Sequence, residues 1–66
     1  MLLRFGRKVR SERERRNLSQ ETLATKADVH RTYVGMIERG EKNITLLNIE
    51  KFASAFDLTL KQIMDF

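Results

Sequence analysis

The side chains that offer this chain the most chemistry are basic, and they crowd its beginning. Residues 1–16 carry a net charge of +5, from two acidic side chains and seven basic ones, Arg4, Arg7, Lys8, Arg10, Arg13, Arg15 and Arg16. Residues 17–66 carry six basic and seven acidic side chains, a net charge of −1. A basic segment predicts attraction to a polyanion, although many such runs are only the solvated face of a helix. Charge alone leaves both interpretations open.

Residues that could perform catalysis or bind a metal are almost absent. The chain has one histidine, His30, and no cysteine, whereas a metal site needs several ligands together. No pair of carboxylates is placed for acid–base catalysis, and we therefore predict that the protein is not an enzyme. We also expect no cofactor and no small-molecule ligand.

Length and composition narrow the class of protein further. Sixty-six residues, of which 41% are hydrophobic and 33% charged, predict one globular domain over residues 1–66. No apolar run approaches the ~18 residues of a membrane span, and the first residues do not have the pattern of a secretory signal. Without cysteines for disulfides, these features favour a cytoplasmic protein.

Apolar residues recur at helical spacing along nearly the whole chain, which predicts an all-α fold. Serine and threonine mark helix starts, because their side chains accept hydrogen bonds from the free N–H groups of a first turn. Asn17, Asp28 and Gly40 suit the turns between helices. The predicted helices are about 3–16, 20–26 after Ser19, 31–39, one that follows Thr45 with a core stripe of Leu46, Ile49, Phe52, Ala53 and Phe56, and 60–64 after Thr59.

The segment 20–39, QETLATKADVHRTYVGMIER, has the pattern of a helix-turn-helix. Two short helices are joined by a turn of three or four residues, and small Ala24 leaves room for a crossing helix. Apolar residues would lock the two helices together, whereas polar or small residues on the second helix would be free to enter a DNA major groove. A helical hairpin with only a packing role would show a similar stripe, so the pattern needs further support.

A longer run provides that support through similarity to a known family. LSQETLATKADVHRTYVGMIERGEKNITLLNIEKFASAFDL, within about residues 5–64, resembles the Cro/repressor-type helix-turn-helix family, also called the xenobiotic-response-element family. The similarity includes LSQ-x-x-LA before the turn, IERG closing the third helix and N-x-T-L-x-x-I opening the fourth. RTYVGMIERGEKN looks closest to restriction–modification controller proteins and phage-type repressors. The resemblance implies a compact five-helix, lambda-repressor-like DNA-binding domain; Asp28 departs from it, since many members have Gly there.

The resemblance also implies roles for particular residues. Arg31 and Thr32, in the first turn of the recognition helix, would reach base edges; for Arg31 a phosphate contact is the alternative. For Tyr33 the alternative is core packing, and for Arg39 an ion pair with a neighbouring glutamate. We expect base contacts from His30, Arg31, Thr32, Gly35 and Met36, and contacts to the DNA backbone from Ser19, Gln20, Tyr33, Arg39, Lys42, Asn43 and Arg16.

One pair of opposite charges has a structural role in this family. Arg13 lies on the same stripe of the first helix as Phe5 and Val9, and we expect it to form a buried ion pair with Glu38 that ties helix 1 to helix 3. The remaining basic residues early in this helix are expected to form a solvated face that supplies long-range attraction at most: Arg4, Arg7, Lys8 and Arg10.

The end of the chain is apolar enough to predict an interface. We expect Leu60, Ile63, Met64 and Phe66 to form a homodimer contact, which would place two recognition helices about 34 Å apart on a two-fold symmetric operator. The predicted function is a sequence-specific transcriptional regulator of double-stranded DNA, either activator or repressor. The alternatives are a protein-interaction module of the same fold, such as an antitoxin or adaptor, and the N-terminal DNA-binding part of a longer regulator.

Overall fold

Five α-helices and no strand make up the computed structural model, which describes all residues, 1–66. The helices are α1 Leu2–Arg15, α2 Gln20–Ala27, α3 Arg31–Glu38, α4 Leu46–Ala55 and α5 Leu60–Ile63. The prediction of an all-α fold with five helices is confirmed, and each predicted boundary lies within one residue of the observed one. None of the helices combines the length and the apolar character that a membrane crossing requires.

Side-chain caps begin α2, α4 and α5, as predicted. The hydroxyl oxygens of Ser19, Thr45 and Thr59 accept hydrogen bonds from backbone N–H groups in the first turns, at 3.0, 3.2 and 3.1 Å. At Thr59 the side chain of Gln62 also accepts from the N–H of the capping residue at 2.8 Å, which completes a capping box. These caps satisfy donors that a helix start would otherwise leave unpaired.

Left-handed residues end the helices and turn the chain. Asn17, Asp28 and Gly40 have φ values of 56°, 56° and 70°, which confirms the prediction at these positions. Asp57, at φ 58°, takes the same role after α4 although it was not predicted. Asn and Asp tolerate this conformation because their short polar side chains can hydrogen-bond locally. A Cβ at Gly40 would also lie only 3.0 Å from the Cα of Leu3, so this turn packs directly on α1.

The core lies where all five helices meet. Phe5 of α1 meets Phe52 of α4 edge to face, with 6.5 Å between the ring centroids, an arrangement that stabilises beyond the area it buries. One predicted core position is wrong: Leu46 is 59% exposed, and the buried stripe of α4 begins at Ile49, three residues later. Twelve apolar side chains are buried in the core: Phe5, Val9, Leu23, Ala24, Ala27, Val34, Ile37, Ile49, Phe52, Ala53, Phe56 and Ile63.

Helix α1 approaches α3 very closely at Gly6. This glycine is buried in the interior of α1, far from any turn, against the backbone carbonyls of Ile37 and Glu38. A Cβ at Gly6 would lie 2.8 Å from the Glu38 carbonyl oxygen and closer still to that of Ile37. Gly6 therefore sets the distance between α1 and the C-terminal end of α3.

Glu12 is buried in α1 although it is charged, and its side chain is only 4% exposed. Three cations surround its carboxylate: Arg16 Nη1 at 2.6 Å, Lys8 Nζ at 3.1 Å and Arg15 Nη1 at 3.5 Å. The hydrogen bond from Arg16 holds the pKa of Glu12 below its usual value, against the opposing effect of burial. Helical spacing brings these partners together, since they stand four residues before and three and four residues after Glu12.

Acid should therefore weaken the fold through Glu12. A carboxylate whose pKa is lower in the folded than in the unfolded chain contributes stability above the unfolded pKa, and this stability is lost as the pH falls through the folded pKa. We expect Glu12→Gln to be less stable than the wild type at neutral pH, by a difference that shrinks as the pH falls below 4.5, the ordinary value for the group. Chemical denaturation at neutral pH and near pH 3, roughly one unit below an ordinary Glu pKa, measures both differences.

Glu14→Gln is the matched control for this experiment. Glu14 is exposed, and its carboxylate pairs with Arg10 at the surface over 3.3 Å. A surface pair of this kind contributes little, so its loss should change the free energy of unfolding by a small amount at either pH. A difference for Glu12→Gln that is equal at both pH values would contradict the expected role of Glu12.

Candidate nucleic-acid interface

Helices α2 and α3 form the predicted helix-turn-helix. The turn between them, residues 28–30, begins with left-handed Asp28, and the N–H of Val29 donates to the carbonyl of Ala24 at 3.0 Å. This packing leaves the start of α3, Arg31 and Thr32, exposed to solvent, whereas the rest of the helix is buried or half-buried. The inner sides of the two helices are held together by buried apolar residues: Leu23, Ala24, Ala27, Val34 and Ile37.

His30 begins α3 and orients its first turn. Its Nδ1 accepts a hydrogen bond from the backbone N–H of Thr32 at 3.1 Å, so the imidazole is the N-cap of the helix. The residue is exposed, and because Nδ1 accepts, the Nε2–H remains as a donor. His30 therefore has a structural role that leaves it able to contact a ligand as well.

The first turn of α3 presents two polar side chains to solvent. Arg31 and Thr32 are both exposed, and their side chains form no ion pair or hydrogen bond within the chain. A free guanidinium can donate two hydrogen bonds to O6 and N7 of guanine, and threonine can contact the methyl group of thymine. Met36 lies one turn after Thr32 on the same side of the helix, is half-buried and adds apolar surface.

Gly35 lies beneath two side chains. A Cβ at this position would lie 3.1 Å from Arg39 Nη1 and 3.7 Å from Gln20 Oε1, and the residue is buried. A base contact at Gly35 stays a prediction, and in the free protein the side chains of Arg39 and Gln20 lie over this glycine. Its role is to make room for Arg39 and Gln20 on the surface of α3.

A buried hydrogen-bond network joins α1, α2 and α3 behind this surface. Arg13 Nε and Nη2 donate to the two carboxylate oxygens of Glu38 at 2.7 and 3.2 Å, and Arg13 Nη1 donates to the carbonyl of Leu18 at 2.8 Å. Gln20 Nε2 also donates to Glu38, at 3.1 Å. The hydrogen bond to Glu38 raises the pKa of Arg13 above its usual value. This bidentate ion pair thereby fixes Gln20 and the start of α2 relative to α3.

The loop after α3 adds further polar residues at the surface. Arg39 Nε pairs with Glu41 Oε2 at 2.9 Å between two exposed side chains, and this hydrogen bond raises the pKa of Arg39. Lys42 and Asn43 are exposed and their side chains have no partner within the chain. Arg39 therefore keeps its two terminal nitrogens as donors for a phosphate while Nε is paired with Glu41, and Lys42 and Asn43 are free altogether.

Arg16 has a structural role, which corrects its predicted contact with the DNA backbone. Besides its pair with Glu12, the guanidinium donates to the carbonyl of Phe56 at 2.8 Å and lies over the Phe56 ring, 4.9 Å from its centroid. Both terminal nitrogens are thus engaged in tying the end of α1 to the end of α4.

Tyr33 and Ser19 are also engaged within the chain. The Tyr33 ring stacks on Phe52 with 6.3 Å between the centroids, and its hydroxyl accepts from Asn48 Nδ2 at 3.0 Å. This packing favours the alternative role of Tyr33 in the core. The Ser19 hydroxyl caps α2 and donates to Thr22 Oγ1 at 2.9 Å. A phosphate at this helix start would therefore meet free backbone N–H groups and not the serine side chain.

An apolar surface lies at the end of the chain. Leu60 and Phe66 are 40% and 42% exposed, and Met64 is half-buried. Ile63, in contrast, is fully buried. Its predicted place in an interface is wrong, because α5 is a single turn and Ile63 lies on the side that faces the core.

Leu46 and Leu47, at the start of α4, form a second exposed apolar surface that was not predicted. Their exposed fractions are 59% and 64%. The exposure of Leu47 could have been predicted from its position in the sequence. The buried stripe of α4 passes through Ile49 and Phe52, and a residue two positions before Ile49 lies on the far side of a helix.

The structure has no pocket suited to a metal ion or an apolar ligand. No group of three or more His, Cys, Asp or Glu side chains is placed to hold a metal. The one surface depression lies on the outer side of α2, and no hydrophobic residue lines it. Its lining consists of Ser19, Glu21, Thr22, Thr25 and Lys26.

Related sequences fit this geometry. A helix-turn-helix family profile matches residues 9–63. Control protein C.BamHI of Bacillus amyloliquefaciens is 49% identical over 65 residues, which cover 97% of this chain and 80% of that protein. The immunity repressor protein of Bacillus phage phi105 is 34% identical over 59 residues, which cover 89% of this chain and 41% of the repressor.

A solved structure has the same architecture. The crystal structure of the restriction–modification controller protein C.AhdI from Aeromonas hydrophila superposes with a TM-score of 0.92 at 43% sequence identity, and the alignment covers 96% of each chain. The predicted resemblance to controller proteins and phage-type repressors is confirmed. The chain belongs to the helix-turn-helix family of DNA-binding transcriptional regulators and, within it, to the restriction–modification controller proteins.

Proposed function

We propose that the protein is a sequence-specific transcriptional regulator that binds double-stranded DNA as a homodimer and reads a two-fold symmetric operator with α3. The observation that carries the proposal is the exposed first turn of α3, where Arg31 and Thr32 are free while the inner side of the helix is locked to α2. Relatives described as control proteins and as an immunity repressor support it. The regulator would act in the cytoplasm and without a cofactor.

Recognition would combine a few base contacts with a series of phosphate contacts. In the major groove, Arg31 would donate two hydrogen bonds to a guanine, and Thr32 would pack against a thymine methyl group. The backbone N–H groups at the start of α2, together with Lys42 and Asn43, would bind phosphates and so fix the position of α3. The hydrogen bond from Gln20 to Glu38 keeps the start of α2 in register with α3.

A second copy of the chain is the proposed partner of the apolar surface formed by Leu60, Met64 and Phe66. Exposed apolar surface of this kind usually marks an interface, and Phe66 is supported from below by an edge-to-face contact with Phe5 at 6.1 Å. Two-fold pairing would place the recognition helices about 34 Å apart, one turn of B-DNA. A domain of this size buries limited apolar surface, so dimerisation would also add stability.

Selection of bound sequences from a random DNA pool tests three parts of the proposal together: that the protein binds DNA, that it recognises a particular sequence, and that two copies bind each site. We expect a two-fold symmetric motif whose half-sites lie about ten base pairs apart. A motif without symmetry would contradict the homodimer. Recovery of no preferred sequence would contradict sequence-specific binding and favour a protein-interaction module of the same fold.

Arg31→Ala should relax the choice of base at one position in each half-site, at a cost of about 1–3 kcal/mol on the selected sequence. Alanine cannot donate the paired hydrogen bonds that distinguish guanine from the other bases. Titrations of the selected duplex, and of duplexes changed at each position, measure the effect. Lys42→Ala is the control, since loss of a phosphate contact weakens all sequences alike. If Arg31→Ala also weakens all sequences alike, Arg31 contacts the backbone only.

A further inference from the structure

Ion pairing divides the basic side chains of α1 and its C-cap into two groups. Arg4 and Arg7 are exposed and have no carboxylate partner. The basic side chains of α1 that have no carboxylate partner at all therefore lie in its first two turns, although the single carboxylate of Glu12, shared by three cations, leaves excess positive charge farther along the helix as well. The other five basic side chains each lie within 3.5 Å of a carboxylate: Lys8, Arg15 and Arg16 of Glu12, Arg10 of Glu14, and Arg13 of Glu38.

The first two turns of α1, which carry Arg4 and Arg7, adjoin the C-terminal end of α3 and the loop that follows it. The backbone of α1 meets the C-terminal end of α3 at Gly6, and Leu3 meets the turn at Gly40, two residues before Lys42. Arg7 follows Leu3 by four residues and so occupies the same side of α1, and Arg4 lies one turn before Arg7. Helical spacing thus places Arg4 and Arg7 on the part of α1 that adjoins the C-terminal end of α3 and the loop with Lys42, at the end of α3 opposite to its first turn.

The acidic side chains without an ion-pair partner belong to other segments of the chain, although Asp65 precedes Phe66, whose ring packs on Phe5 of α1. None of them belongs to residues 1–16 or 31–45, where every carboxylate is held in an ion pair. An anion that approaches α1 or the loop after α3 therefore meets free cations. No carboxylate of residues 1–16 or 31–45 is free to repel it. The unpaired acids are Glu21, Asp28, Glu50, Asp57 and Asp65.

Helix α1 itself does not favour a cation at its start. The N-terminal end of a helix carries partial positive charge, so Arg4 weakens the helix. The first turn contains no acidic residue and has no side-chain cap to offset this effect. A charged side chain that costs stability and has no partner within the chain is typical of a functional position.

We propose that Arg4 and Arg7 bind phosphates of the DNA that flanks the sequence read by α3, and so continue the series of contacts formed by Lys42 and Asn43. The inference rests on the proposed function and adds to it a contact region that depends on the length of the DNA and not on its sequence. Guanidinium groups suit this role because their paired N–H donors match two phosphate oxygens.

Two duplexes and two double variants test the inference. The short duplex contains only the motif recovered by selection, and the long one adds about ten base pairs, one helical turn, at each end. Arg4→Gln/Arg7→Gln is compared with Arg10→Gln/Arg15→Gln, which removes the same charge from exposed positions of the same helix that are already paired. Fluorescence anisotropy at about 50 and 200 mM salt gives Kd for each combination. Thermal unfolding establishes that each variant is folded.

Each phosphate contact accounts for about a threefold loss of affinity between these salt concentrations. We expect Arg4→Gln/Arg7→Gln to lower the salt sensitivity of binding to the long duplex by about this factor per contact removed. Binding to the short duplex should stay nearly unchanged, and the paired control variant should resemble the wild type on both duplexes.

Three results would overturn the inference alone, and a fourth would also refute the proposed function. Equal effects of the two double variants on the long duplex would indicate long-range attraction only. Wild-type binding by Arg4→Gln/Arg7→Gln would exclude any contact, and equal losses on the short and long duplexes would place the contact inside the operator. Failure of the wild type to select any sequence would refute the proposed function and this inference with it, whereas the other results leave the proposed function standing.

Discussion

Glu38→Ala should lower the free energy of unfolding by about 3–5 kcal/mol, because it removes one partner of a buried ion pair. Arg13, whose side chain is 13% exposed, would keep its charge without a carboxylate partner and retain only its hydrogen bond to the Leu18 carbonyl, and Gln20 would lose its link to α3. A domain of 66 residues has roughly 3–10 kcal/mol of stability in total. We therefore expect the variant to be close to its unfolding midpoint at room temperature, which denaturation with urea measures directly.

Glu41→Ala is the matched control for Glu38→Ala. It removes a carboxylate that pairs with Arg39 at the surface, where both side chains are more than half exposed, and should cost less than about 1 kcal/mol. Arg13→Met/Glu38→Leu removes both charges but keeps apolar side chains in their place. It should recover part of the stability that Glu38→Ala loses, because well-packed apolar residues can replace a buried ion pair. Similar losses for Glu38→Ala and Glu41→Ala would show that the buried pair does not hold the first three helices together.

Gly6→Ala should destabilise the protein by about 1–3 kcal/mol or more, against the ordinary trend. Alanine in a helix interior is usually more stable than glycine by about 0.5–1 kcal/mol. Here the added Cβ would lie 2.8 Å from the Glu38 carbonyl oxygen, and because that oxygen belongs to the backbone of α3, a whole helix must move to relieve the contact. Thermal unfolding followed by circular dichroism measures the loss.

Ser11→Ala in the same helix is the control for Gly6→Ala. Ser11 is exposed, so its replacement should show only the helix propensity of alanine, a gain of a few tenths of a kcal/mol. A Gly6→Ala protein that is as stable as Ser11→Ala would show that α1 can move away from α3 at no cost. If Gly6→Ala does not fold at all, the helical signal will be lost, and this result would also agree with the predicted destabilisation.

The helices could be predicted from the sequence because their signals are local. Thr59 with Gln62 three residues later specifies a helix start, and Asn17 and Gly40 specify helix ends. The buried carboxylate of Glu12 could also have been found, since its three cations stand at helical spacing from it in the sequence. Its burial could not, because the neighbours that cover this side of α1 come from distant parts of the chain.

The candidate site was predicted only in part, for the same reason. Residue type and position in α3 were sufficient to single out Arg31 and Thr32, which the fold leaves free. Arg16, Tyr33 and Gly35 were assigned to DNA on their type and place in the motif, but tertiary contacts engage them within the protein.

The sequence by itself determined the type, number and ends of the helices and the family, because these depend on residues a few positions apart and on motifs that can be read directly. Only the tertiary structure decided which charges are engaged by distant parts of the chain. Arg13 and Arg16 find partners 25 and 40 residues away, whereas Arg4 and Arg7 find none. The physical reason is that a side chain is neutralised or covered by whatever the crossing helices bring beside it, and local spacing does not specify how helices cross.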